Sequence, residues 1–301
     1  MTRALGIDVS RHNGPFNFDK AKLAGVDFVF CKASQFVEDE TFKTNWQKAK
    51  DAGLLRGAYH YLDYHISELD QAKLFVSLIK FDPGELPPVI DFEQRYVGMP
   101  PAPIVCGKLW NILQYVERET GKIPMIYSGF YYWQEFCNSN PGWLKYQFWL
   151  AWYAPEWYVK WRSGGTGAPP PWTNWKFWQW KVGGDGPKYG STGLNIDMDR
   201  FNGTADELKA FASVPLPAPL PVPPGLPPVA SGALGAHKVT AARLNVFTGP
   251  GSTYKQSSVS PLRKDAVVNV LDFVTAQGEQ WGKIEAPPGC YVRAIWLKKI
   301  T

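Results

Sequence analysis

The sequence predicts an α/β protein, an irregular (β/α)8 barrel of TIM type followed by a small all-β barrel. Three observations predict it. Eight apolar, strand-like segments recur over the first two hundred residues, most of the early ones alternating with helix-spaced segments. Polar residues, acids above all, collect at the ends of the strand-like segments, as they do where barrel strands open into a site. A run that is more than half proline, Val214 to Pro228 (VPLPAPLPVPPGLPP), then separates this region from a tail of short alternating segments. The 301 residues suffice for one large and one small domain. The expected division is a barrel over residues 1–213, an extended proline-rich linker over 214–235 and a β domain over 236–301.

In order, ALGIDVS (Ala4 to Ser10) reads as the first strand, closed by the turn Arg11-His12-Asn13-Gly14-Pro15. A short helix is expected over Phe16 to Gly25, a second strand over Phe28 to Ser34, and a helix over Thr41 to Ala52 capped by Gly53. Gly57 to Tyr61 is the third strand. Ser67 with Asp70 three residues on resembles a capping box, and Leu69, Ala72, Phe75, Val76 and Ile79 give that helix its apolar face. The fourth strand is Pro87-Pro88-Val89-Ile90-Asp91-Phe92-Glu93. A longer helix runs from about Pro103 to Gly121, and strands follow at Ile123 to Gly129, Gln147 to Ala154, Phe177 to Val182 and Leu194 to Phe201. All eight are expected to run parallel. The connection from Trp157 to Pro171 is rich in Trp, Gly and Pro, so the second half should be irregular; a last helix is expected near Thr204 to Phe211.

Charge is uneven. Residues 236–301 carry nine Lys and Arg against four acids, leaving 23 of each sign elsewhere. The tail therefore suits an anionic polymer, a description that covers nucleic acid and bacterial wall alike. The 14 Trp, 14 Tyr and 17 Phe would supply faces for sugar rings as well as core. Cys31, Cys106, Cys137 and Cys290 have no metal-site spacing and indicate no disulfide framework; Cys31 lies in a strand pattern as a small core residue. His12, His60, His65 and His237 form no ligand set, so neither metal nor cofactor is expected. The start of the chain shows no signal-like segment, and no run of eighteen apolar residues occurs, so synthesis in a cytoplasm is expected.

The chemistry lies in the acids. Asp91 and Glu93 alternate along one strand and point the same way, their Cα atoms roughly 6.6 Å apart. Two such carboxyls repel when both are ionised, so one should keep its proton toward neutral pH and serve as an acid, which glycosidic cleavage requires. Asp8 occupies the same place on the first strand. On the last strand Asp197 and Asp199 are both candidates, and the residues alone prefer neither.

Taken together, G-I-D-V-S at 6–10, the Lys32 strand with Asp39, Phe42 and Asn45, G-A-Y-H-Y at 57–61, D-F-E at 91–93, I-Y-S at 126–128, W-x-A-x-Y at 149–153, W-Q at 178–179 and I-D-M-D-R-F at 196–201 resemble glycoside hydrolase family 25. These are lysozymes of the phage endolysin and bacterial autolysin type, and the motifs come in the family's order over residues 4 to 203. The resemblance implies hydrolysis of the β-1,4 bond between N-acetylmuramic acid and N-acetylglucosamine, with Glu93 as general acid. It implies that Asp91 orients an acetamido group and that Asp8 and Asp197, the latter chosen over Asp199 by the I-D-x-x-x-F pattern, complete the acid set. It further implies that Lys32, Tyr59, Tyr127, Trp149, Tyr153 and Gln179 line the groove. Ser34-Gln35-Phe36 departs from the family, where an acid and a glycine commonly follow Lys32-Ala33.

The tail segment L-N-V-F-T-G-P-G-S-T-Y (Leu244 to Tyr254) resembles a bacterial SH3-like wall-binding domain, with Phe247 where a basic residue is usual. The implied partner is bacterial peptidoglycan, its glycan strand at the barrel and its wall peptides at the tail. No nucleic acid or membrane partner is expected, and the chain should be a monomer. The implied setting is release to the wall during phage lysis, or extracellular action. Two alternatives stand beside this reading: a chitin-type glycosidase of another barrel family, and a wall-binding protein without catalysis.

Overall fold

A computed structural model describes residues 2–137, 139–213, 235–248, 252–256, 260–276, 279–284 and 290–299. The proline run and the segment Gly249-Pro250-Gly251 lie outside the described residues. The chain divides into two compact units, Met1–Pro223 and Pro224–Thr301.

In the first unit eight strands close into a barrel in sequence order: β1 (Leu5–Val9), β2 (Phe28–Ser34), β3 (Leu55–Tyr61), β4 (Val89–Asp91), β5 (Met125–Gly129), β6 (Gln147–Ala151), β7 (Phe177–Asp185) and β8 (Asn195–Phe201). Helices α1 (Phe18–Leu23), α2 (Phe42–Asp51), α3 (Glu68–Ile79) and α4 (Ala102–Thr120) fill the first connections. The later ones are α5 (Phe130–Phe136), α6 (Glu156–Arg162) and α7 (Ala205–Ser213). The helix signals are satisfied locally. Asn17 and Ser67 accept from the amides of Lys20 and Asp70 to cap α1 and α3, and Gly121 ends α4 at φ 68°, a conformation that a side chain would strain.

Strands β1 to β7 are parallel, as expected, but β8 is antiparallel to both its neighbours. The reason is the β7–β8 connection, residues 186–194, which contains one 3-10 turn (Pro187–Tyr189) and no crossover helix. Parallel pairing needs a dozen residues or more to return to the starting edge, so this segment can only make a hairpin. The cysteine expectation is also corrected: Cys106 on α4 and Cys137, just past α5, form a disulfide across a sequence separation of 31, while Cys31 and Cys290 are free and buried. Two cysteines so far apart carry no spacing signal; the packing of α5 on α4 brings them together.

Alternation along the strands sorts the core into two layers. Outward residues such as Ile7, Val29, Ile90, Ile126 and Leu150 pack under the helices. Inward residues Phe28, Phe30, Val89, Met125, Phe177 and Phe201 form a separate apolar cluster that fills the lower barrel. Two glycines make room for it. A Cβ on Gly6 would lie 2.2 Å from the Phe28 ring, and one on Gly57 would lie 2.3 Å from Phe30. Above this floor the inward side chains turn polar.

The described residues of the second unit are β-strands and loops with one 3-10 turn, Ala294–Trp296. A five-stranded antiparallel sheet has the order β14 (Cys290–Arg293), β13 (Glu279–Ile284), β12 (Val267–Ala276), β9 (Gly235–Val239), β15 (Leu297–Lys299). β10 (Arg243–Leu244) and β11 (Leu262–Arg263) pair beside it. Val239, Leu244, Val246, Val268, Val270, Ile284, Cys290 and Val292 form its core.

Candidate active site

The rim is assembled by register. Asp8 on β1 faces Asp197 on β8, so the reversed strand delivers Asp197 near its beginning to the rim that the parallel strands reach at their ends. Asp199, two residues on, lies one step deeper and pairs with Gly6 and Gln179. On the other side Asp91 sits between Tyr61 and Tyr127. Asp8, Glu93 and Asp197 keep partial contact with solvent, whereas Asp91 and Asp199 are buried.

Glu93 lies just past β4, and the backbone around it is pinned from both sides. Leu62 donates its amide to the Asp91 carbonyl at 2.9 Å, Phe92 donates to the Tyr127 carbonyl at 2.9 Å, and Ser128 Oγ donates to the Phe92 carbonyl at 2.7 Å. Gln94 continues the bracing. Its Oε1 accepts from the Tyr64 amide, its Nε2 donates to buried Asp63, and its carbonyl accepts from the Tyr132 hydroxyl. Phe92 packs edge-on against Tyr64 and Tyr132 behind the rim.

A second network joins the opposite wall. Gln179 Nε2 donates to Asp8 Oδ2 at 2.7 Å, and its Oε1 accepts from the hydroxyls of Tyr127 at 2.8 Å and Tyr153 at 2.6 Å. Trp149 Nε1 donates to Asp199 Oδ1 at 2.9 Å. The indole is stacked on Phe30 at 4.2 Å and is 2% exposed, so Trp149 supports the site from below and does not line the groove. Tyr153, by contrast, is exposed beside an open depression formed with Pro155, Trp180 and Val182. Tyr59 is inward-facing and partly open on β3.

Burial sets the electrostatics. It pushes Asp8 up from 3.8 to about 7, aided by the charge of Asp197 and opposed by the Gln179 and Asp199 hydrogen bonds. Glu93 is raised by burial, an effect moderated by the Tyr127 hydroxyl and the Lys32 charge. Asp91 is held well above the usual carboxylate range by burial and by Glu93, against Lys32. Burial also raises Asp197, against the Gly183 amide. Lys32 is the cation facing these acids; burial lowers it, and Asp91 and Asp39 support its charge. It donates to Gln35 Oε1 at 3.2 Å, so the family-divergent Gln35 is a partner of this lysine. The rim can thus hold protons on carboxyls that water still reaches, which is what a proton donor to an oxygen leaving group needs.

The structure brings together Asp8, Asp91, Glu93, Asp197, Lys32, Tyr59, Tyr127, Tyr153 and Gln179. Asp199, Gln94, Asp63 and Ser128 are the supporting residues that sequence reasoning passed over or left aside; Asp199 stands two residues from Asp197 and Gln94 beside Glu93, whereas Asp63 and Ser128 are far in sequence from the motif acids and are brought in by the fold. His60 belongs elsewhere. It bonds Ser34 Oγ at 2.9 Å and Gln71 Oε1 at 3.0 Å outside the barrel wall, where burial lowers it to about 4 and keeps it neutral. Among the described residues, no group of three or more His, Cys, Asp or Glu could hold a metal ion.

Comparison with known proteins converges on one group. The family model "Glycosyl hydrolases family 25" matches residues 7–187. An uncharacterized Escherichia coli K12 protein, YegX, is 34% identical over 215 residues, covering 68% of this chain and 72% of its own. Lysozyme M1 of Streptomyces globisporus is 29% identical over 224 residues, covering 69% and 71%. The crystal structure of the bacterial lysozyme from Streptomyces coelicolor superposes with a TM-score of 0.60 at 27% identity, over 70% of this chain and 98% of that one.

Proposed function

Because the chain belongs to glycosyl hydrolases family 25 and is a peptidoglycan hydrolase of lysozyme type, we propose that Glu93 is the acid that cleaves its muramyl bond. The bond is the β-1,4 linkage between N-acetylmuramic acid and N-acetylglucosamine. The observation that carries the residue assignment is the pairing of Glu93 with Asp91 on one strand end, where burial favours the protonated acid and solvent still reaches it.

Glu93 protonates the glycosidic oxygen as the bond to the anomeric carbon breaks. Asp91 receives the N–H of the substrate's acetamido group and turns its carbonyl oxygen toward that carbon, so the sugar itself supplies the internal nucleophile. Asp8 and Asp197, on the far wall, lower the energy of the positive charge that grows on the ring. Lys32, Tyr59, Tyr127, Tyr153 and Gln179 position the sugars or these acids. Digestion of purified peptidoglycan, borohydride reduction and mass spectrometry test the scheme. Wild type should release fragments reduced at muramic acid, and Glu93→Gln should fall by about 10²–10⁴-fold while binding is retained. Near-normal activity in Glu93→Gln would remove it from this role, and ends on glucosamine would reassign the bond.

The basic, β-rich second unit supports a role as an SH3-like wall-peptide binder. Loss of sedimentation with purified walls on truncation after residue 213, with activity on soluble fragments kept, is the expected result. The full setting is that of a phage-type endolysin. Lysis of a producing culture only when a membrane pore is co-expressed would support it, and lysis without a pore would oppose it.

A further inference from the structure

Asp199 is an acid of the rim cluster that the scheme above leaves without a task, although it is the deepest of them. It is fully buried, one strand step below Asp197 on the same inward face. Its Oδ1 accepts from Trp149 Nε1 at 2.9 Å. No donor reaches its Oδ2, which is sealed from solvent. Diagonally across the β1–β8 pair stands another carboxyl, Asp8.

Two carboxylates cannot bond to each other unless a proton lies between them. The question is which of the two carries it. Asp8 Oδ2 already accepts from the Gln179 amide, an arrangement that favours the ionised form of Asp8. Asp199 has one neutral donor and otherwise sees acids. The titratable groups acting on it are Asp8 from β1 and Asp197 on its own strand; Trp149 from β6 and Gln179 from β7 are neutral, and Gly6 on β1 offers no side chain. Burial and both neighbouring acids raise Asp199 well above the usual carboxylate range, in agreement with that geometry.

We propose that Asp199 is a positioning residue that permanently carries a proton, donating its carboxyl O–H to Asp8 so that Asp8, held also by Gln179, is fixed as an ionised acceptor facing the substrate. The inference rests on the reading of this rim as the glycosidase site. It explains why a deep acid stands where an apolar side chain would match the floor beneath it.

The test compares Asp199→Asn with Asp199→Leu. Asn keeps an oxygen for Trp149 and puts an N–H where the O–H was, so kcat and its pH profile should stay within about 3-fold of wild type. Leu removes both, and kcat should fall by about 10- to 100-fold at neutral pH, with KM little changed and the acidic limb of the profile moved upward. Equal impairment in both variants would show that a negative charge is needed at 199 and overturn the proposal, as would full activity of the Leu variant. A readout independent of activity and of the fate of the Leu variant is the infrared band of a protonated carboxyl. In the wild type minus Asp199→Asn difference spectrum at pH 8, where the bands of Asp91 and the other acids cancel, one such band should remain; its absence would refute the proposal even if Glu93→Gln is inactive. An active Glu93→Gln with the band intact would instead fault the site assignment alone.

Discussion

Replacing Gln179 by Leu preserves bulk while removing three hydrogen bonds at once, and the consequences can be worked out from the network. Asp8 would lose the amide donor 2.7 Å from its Oδ2. A hydrogen bond to a charged group contributes about 1.5–3 kcal/mol, and each pH unit corresponds to about 1.4 kcal/mol, so the Asp8 carboxyl should rise by about one to two units. It starts at about 7. If an ionised Asp8 stabilises the charge growing on the sugar, kcat/KM rises with pH as Asp8 loses its proton, and in Gln179→Leu that acidic limb moves to about pH 8–9. The limb set by loss of the Glu93 proton should move far less. Buried Tyr127 would also lose its acceptor, at a further cost of about 1–3 kcal/mol in stability, whereas exposed Tyr153 can turn to water. The assay is kcat/KM on a soluble glycan fragment from pH 4 to 10, with the thermal midpoint measured beside it. A uniform fall in activity with the limb unmoved would refute the reasoning, since Gln179 would then act on the substrate and not through Asp8.

Three further outcomes are expected. Arg56 is 1% exposed and pairs with Asp82 and Glu85 at 3.0 and 2.9 Å, with its guanidinium 4.4 Å from the Trp46 ring. Arg56→Met should cost about 3 kcal/mol, the low end for breaking a buried pair because both acids reach water, and lower the barrel's melting midpoint by about 6–12 °C. Activity at 25 °C should stay within about 2-fold. Opening the Cys106–Cys137 bridge with a reductant, or as Cys106→Ser with Cys137→Ser, should cost about 3–4 kcal/mol for its separation of 31 residues; an unchanged midpoint would argue that the bridge constrains little. Finally, the rim acids bind protons more tightly folded than unfolded. Their contribution to stability is therefore complete below the ordinary carboxylate values and is lost as pH rises through the folded ones. For Asp8 that window runs from 3.8 to about 7. The midpoint should fall between pH 5 and pH 8, Asp8→Asn should flatten the slope, and a midpoint that climbs over this interval would contradict the sign.

Much of this molecule was legible because its signals are local. Alternation in Val89-Ile90-Asp91-Phe92-Glu93 fixes which side chains turn inward, whatever the barrel does elsewhere, and Ser67 caps α3 by contacts three residues away. The direction of β8 was not legible from its own residues, since N-I-D-M-D-R-F alternates identically in either sense. The signal lay in the brevity of the connection before it. The Cys106–Cys137 bond depends on how α5 packs on α4, which no spacing encodes. The distinct stations of Asp197 and Asp199 could not be separated by parity, because residues two apart share a face and differ only in depth. That depth comes from the register against Gly6 and Gln179.

The phenylalanines seated over Gly6 and Gly57 have a consequence for how the site is inherited. They make the barrel a cup with one mouth, so water approaches the acids from above and never from beneath. The dryness that keeps protons on the carboxyls is consequently a property of ring packing well removed from the substrate. A drift from phenylalanine to a smaller residue at position 28 or 30 would let solvent seep upward and retune the acids without altering one of them. Selection on the working pH of this enzyme can therefore act through its hydrocarbon floor, and the two glycines that seat its rings belong to the heritable machinery of proton control.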